Sequence, residues 1–110
     1  MTVSRLRRCS ARWRDGDCPP EVLFIVDDPR EAARYTVMYC GLADGLLSGL
    51  NMSENPSGGQ DIGLSFELTR HEASRYRRRN VSRYAKWSSL PESVRRCVVR
   101  DIEDYSVVFR

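Results

Sequence analysis

The chain predicts a small α+β domain spanning residues 1–110. The expected architecture is a three- to four-stranded, mainly antiparallel sheet, an N-terminal hairpin plus a strand at 61–69, packed on one face by about three helices. The element order is β-β-α-β-α-α with an optional closing strand. Three observations predict it. Short apolar runs with period-two alternation are bounded by Gly and Pro; longer runs with helical spacing are opened by capping patterns; and 110 residues at 41% hydrophobic and 30% charged suit one modest core.

In RCSARWR, Cys9, Ala11 and Trp13 alternate with Ser10, Arg12 and Arg14, the signature of a half-buried strand. Asp15-Gly16-Asp17 reads as a turn. After Pro19-Pro20, EVLFIVD is a buried strand starting near Glu21, where the prolines no longer block pairing. Asp28-Pro29-Arg30-Glu31 then has the pattern of a helix start, with Asp28 as the cap. The helix is expected to run to about Leu50, with Tyr35, Tyr39, Leu42, Leu46 and Leu50 on one face. Gly41, Gly45 and Gly49 recur along a second face, which predicts close approach of another backbone.

NMSENPSGGQ has loop composition. In DIGLSFELT, Ile62, Leu64, Phe66 and Leu68 alternate with Gly63, Ser65 and Glu67, so one face of this strand is core and the other wet. Thr69-x-x-Glu72 is a capping box that opens a helix over 70–87. Ser89-x-x-Glu92 with Pro91 opens the last helix, striped by Leu90, Val94, Cys97, Val98, Ile102 and Tyr105. SVVFR fits either a helix end or a short closing strand.

Charge is strongly segregated. The net value is +3, yet residues 15–67 carry ten acids against Arg30 and Arg34, while residues 68–100 carry nine Arg and Lys86 against Glu72 and Glu92. Such a chain is suited to charged partners. With one cation excepted, every basic residue is Arg, which a GC-rich genome also produces, so abundance alone decides little. Arrangement decides more. With the 70–87 segment wound at 100° per residue, Tyr76, Asn80, Tyr84 and Trp87 fall near Ala73, and Arg75, Arg78, Arg79 and Lys86 gather opposite. Aromatics committed to the core cannot stack bases, so a cationic ridge suited to phosphates or to an acidic protein patch remains. Arg12 and Arg14, on the outward side of the first strand, are candidates to extend it.

Other chemistry is thin. Cys9, Cys18, Cys40 and Cys97 lack metal-ligand spacing, and reduced thiols are expected, with Cys9 and Cys18 the pair that oxidation would join. His71, the one histidine, sits at the start of a capped helix, where exposure is expected. Asp27-Asp28 suggests an acidic metal site less well than it suggests a cap. Asn51 and Asn80 open glycosylation sequons that matter only on export. Gly58-Gly59-Gln60 resembles the GGQ tripeptide that class I peptide-release factors and related peptidyl-tRNA hydrolases present to the ribosomal catalytic centre. The resemblance covers those three residues and their loop position, and implies a backbone and a glutamine that help position water. The chain departs from that family's pattern at Asp61-Ile62, which leads straight into a strand.

With no membrane-length apolar run and no signal-like h-region, a cytoplasmic protein is expected. The sequence therefore predicts a binding protein rather than an enzyme, without cofactor or metal. Its first partner is nucleic acid, met by Arg75, Arg78, Arg79, Lys86, Arg12 and Arg14. The alternative is a regulator, inhibitor or subunit that meets another protein through the acidic 15–67 region or the basic ridge, and a GGQ-type ribosomal hydrolase comes third.

Overall fold

The computed structural model of the protein describes residues 2–4, 6–9, 15–41, 46–54, 64–104 and 106–108. Its elements are β1 (Thr2–Ser4), β2 (Val22–Asp27), β3 (Tyr35–Tyr39), β4 (Leu47–Met52), β5 (Leu64–Leu68), α1 (Arg70–Asn80), α2 (Glu92–Asp104) and β6 (Ser106–Val108). Single 3-10 turns at Val81–Arg83 and Trp87–Ser89 lie between the helices. Strands β2-β3-β4-β5 form one antiparallel sheet in that order, and β1 pairs with β6 as a separate two-stranded ribbon. The α+β class agrees with the sequence pattern, a strand at Leu64–Leu68 falls within the expected 61–69, and of the two readings left open for the tail, Ser106–Val108 takes the strand. Residues 10–14 of the expected first strand lie outside the described residues.

The largest correction concerns 28–50, where β3 and β4 replace the expected helix. The Asp-Pro signal that suits a helix start equally suits a β-turn, with Asp first and Pro second. Here it makes the turn: Glu31 N donates to Asp28 O at 3.1 Å, and Arg30 N donates to Asp28 Oδ1 at 3.2 Å. YTVMY, β-branched or aromatic at every position but Met38, is then buried throughout β3. A strand covered on both faces lacks alternation, and its apolar run mimics helical spacing over short windows. Gly41 closes the strand at φ +133°, a conformation that side-chain-bearing residues rarely adopt. Gly49 stands opposite Phe66 across the β4–β5 pair, where a Cβ would lie 2.8 Å from the ring's Cε atoms. The glycine admits a ring, not the backbone that its spacing suggested.

The two helices take opposite faces of the sheet, in contrast to the expected packing on one face. Val22, Ile25, Tyr35, Val37, Tyr39, Leu50 and Met52 point one way and meet Trp87, Leu90, Val94 and Val98. Phe24, Val26 and Met38 point the other way and meet Phe66, Leu68, Tyr76 and Tyr84. Tyr39 Oη also donates to Asp101 Oδ2 at 2.6 Å, tying β3 to α2.

The expected helix over 70–87 ends at Asn80 because the chain is captured by the sheet edge. Tyr84 bridges Val26, and Ala85 N donates to Ile25 O at 2.9 Å, which covers the outer side of β2. The chain thereby crosses from one face to the other, so Tyr84 stacks on Phe24 at 5.2 Å while Trp87 is buried beneath α2. Asp15 caps the Trp87–Ser89 turn from a distance, accepting from Trp87 N at 2.9 Å and Ser88 N at 3.3 Å. The cysteines correct a second expectation: Cys9 bonds to Cys40, with Cα atoms 6.0 Å apart, and Cys18 and Cys97 are outside the disulfide. Ending β3 at Tyr39 brings Cys40 beside Glu21, whose carbonyl accepts from Cys40 N at 2.9 Å, and Cys9 N reaches the adjacent Pro20 O at 3.0 Å.

Candidate anion-binding surface

Helix α1 begins as the sequence predicts. Thr69 Oγ1 accepts from Glu72 N at 3.2 Å, and Glu72 Oε1 accepts from Thr69 N at 3.0 Å. The backbone bond to Thr69 holds the Glu72 carboxyl below its ordinary range. Glu72 is the one acid in the helix, and capping occupies it. Arg70, Arg75, Arg77, Arg78 and Arg79 are all exposed, and none forms an ion pair with a described residue. Three of them lie in the last turn, where cations suit the helix dipole.

The inward side is narrow. Ala73 is the buried residue of α1, and Tyr76 stacks on Phe24 with centroids 6.2 Å apart. Asn80, the polar residue on the apolar side, donates to Tyr76 O at 2.9 Å and accepts from Arg83 Nη1 at 3.2 Å. Arg83 Nη1 also donates to Arg79 O at 3.2 Å, which satisfies an orphan carbonyl at the end of the helix.

Clefts flank α1. On one side a space of about 430 Å³ is lined by Asp28, Glu31, Arg34, Tyr76, Arg79 and Arg83. There the charges are largely matched within the protein. Arg30 forks onto Asp28 at 2.9 and 3.0 Å, and Arg83 lies 3.7 Å from the same carboxylate. Arg34 forks onto Asp27 at 2.6 and 3.1 Å, reaches Glu54 at 3.2 Å, and lies over the Tyr35 ring at 5.2 Å. The hydrogen bond from Arg30, aided by the charges of Arg30 and Arg83, lowers the Asp28 pKa to about 2. Asp27 and Asp28 therefore serve arginines, and no described cluster of three His, Cys, Asp or Glu residues could hold a metal ion.

On the other side a cleft of about 320 Å³ is lined by Arg7, Leu23, Phe24, Leu47, Arg70 and Arg77, together with Ala73, Ser74 and Cys40-Gly41. No acid is among its described lining residues.

Of the predicted ridge, Arg75, Arg78 and Arg79 lie together on α1, as the helical spacing requires. Lys86 does not join them. It follows the segment paired to β2 and faces Asp15, whose carboxyl is held below its ordinary range by Ser88 first, then Trp87 and Lys86. Arg12, Arg14 and the Gly58-Gly59-Gln60 loop lie outside the described residues. His71 is exposed on α1. Arg70 and Arg77 were missed because the wheel puts them near Ala73. A long cationic side chain at such a flank lays its stem along the apolar floor and keeps its head in water. Compared with protein-family models, curated proteins and solved structures, the chain matches none.

Proposed function

We propose that the protein binds nucleic acid through its phosphates, with α1 as the contact element. The observation that carries this reading is the set of five exposed arginines on an 11-residue helix whose single acid is held in its cap. Guanidinium groups fit phosphate oxygens in pairs of parallel hydrogen bonds. The helix has no exposed Phe, Tyr or Trp to stack on bases, since Tyr76 is packed on Phe24. Contact is therefore made to the backbone, with little sequence preference.

A protein partner met through the acidic 15–67 region is less well supported. Asp27, Asp28, Glu21 and Glu54 within it already face Arg34, Arg30, Arg8 and Arg34 respectively. An acidic protein docking on α1 is the alternative that the experiment separates.

The test is binding to random duplex DNA and RNA across a salt series, comparing the wild type with R75E/R78E/R79E and with R95E/R96E/R100E on α2. Wild-type affinity should fall steeply with salt, by a log–log slope of roughly −3 to −4 for four phosphate contacts. The α1 variant should bind at least tenfold more weakly and lose most of that slope, and the α2 variant should keep both. Undetectable wild-type binding at low ionic strength overturns the reading, as does an equal loss in the two variants.

A further inference from the structure

The cleft on the Arg70 side of α1 differs in kind from the rest of the helix surface. Arg70, Ser74 and Arg77 follow one another at helical spacings of four and three, so they form a strip along one flank. Beneath the strip lie Leu23, Leu47 and Phe24, with Phe24 only 2% exposed. The lining also includes the small residues Ala73, Ser74 and Gly41. Larger side chains at the first two positions would fill it and close the helix onto the sheet.

We propose that this cleft is a binding site for a small phosphate monoester carrying a compact apolar group. The apolar group would lie on Leu23, Phe24 and Leu47, and the phosphate would meet Arg70 and Arg77 with the Ser74 hydroxyl between them. Its volume of about 320 Å³ falls in the range of small-ligand sites, where an apolar floor and a few placed polar groups are usual. Two guanidiniums from one strip match a group with three acceptor oxygens and close to two negative charges at neutral pH. A carboxylate offers two oxygens and one charge, and engages one such fork. The site goes beyond the nucleic-acid reading: Arg70 and Arg77 belong to both surfaces, but Arg75, Arg78 and Arg79 do not line the cleft.

Titration of the full chain with phenyl phosphate, inorganic phosphate and phenol, followed by calorimetry and amide NMR, tests the site. Phenyl phosphate should bind at least tenfold tighter than either fragment, with amide shifts at Leu23, Leu47 and Ser74. S74W, at an exposed helix position that tolerates a large residue, should close the cleft and abolish binding while the circular dichroism is unchanged. R77A should weaken binding by roughly tenfold, the value of one charge-assisted hydrogen bond. R75E/R78E/R79E should leave phenyl phosphate binding within twofold while nucleic-acid binding falls, so the two sites fail separately. Equal affinity for phenyl phosphate and inorganic phosphate, or unchanged binding in folded S74W, overturns the proposal.

Discussion

Helices α1 and α2 cover opposite faces of the same sheet by different means. Helix α2 and the turn before it bury Trp87, Leu90, Val94 and Val98, and Cys97 and Ile102 pack against that cluster. Helix α1 buries Ala73 alone and reaches the sheet further through one half-buried tyrosine. In exchange it presents five arginines without a described acidic partner, whereas Arg96 on α2 is held by Glu92 at 2.7 Å. A helix that contributes so little to the core is poorly explained by folding alone. Its sequence makes sense as a surface, and the sheet serves as its mount.

The comparison breaks most visibly at Trp87. The residue is 5% exposed and locks the crossing chain under α2. Trp87→Ala should cost about 3–5 kcal/mol in urea unfolding, through lost burial and the cavity left behind. Arg78→Ala, on the crest of α1, should change stability by less than about 0.5 kcal/mol. Similar losses from both would mean that α1 and α2 do not divide the labour as described.

What the sequence disclosed follows the same division. Local signals were legible: the Thr69–Glu72 box, the alternation ending in Phe66 and Leu68, and the Leu90–Val94–Val98 stripe all describe elements set by near neighbours. The segment 28–50 was not, because Asp28-Pro29 serves a turn as well as a helix, and because β3 is buried on both faces and so has no wet side to mark its period. The candidate surface was legible in part. Arg75, Arg78 and Arg79 need only helical geometry. Lys86 was misplaced because the helix end at Asn80 is imposed by pairing of Tyr84 and Ala85 with β2, a contact distant in sequence. Arg70 and Arg77 become candidates only once the groove beside Ala73 is known.

A smaller effect is expected at Thr69. Because α1 has few buried contacts, its cap should govern its local stability more than a cap governs a core helix. Thr69→Ala removes the acceptor for Glu72 N and should cost about 1 kcal/mol. Amide exchange should quicken throughout α1 and stay unchanged in α2, and nucleic-acid affinity should drop although no arginine is altered. Uniform acceleration in both helices would show that α1 is held by the core after all, which would weaken the case for α1 as a mounted surface.

The smallest effect is electrostatic and marks the border between paired and unpaired arginines. Asp28 engages Arg30 and Arg83, and its pKa is lowered from 3.8 to about 2. A carboxyl depressed in the folded state adds stability above its unfolded pKa and loses it as pH falls through the folded one. The loss therefore falls between about pH 4 and pH 2, where the unfolded chain takes up the proton first. Asp28→Asn keeps an acceptor for Arg30 N in the turn but carries no charge. Its melting temperature should fall less steeply than that of the wild type across this window, and the curves should run parallel from pH 5 to 7. Parallel curves below pH 4 would show that Asp28 does not hold Arg30 and Arg83 in solution. Arg83 would then add its charge to Arg79 across the cleft, and the cationic surface would extend to both flanks of α1.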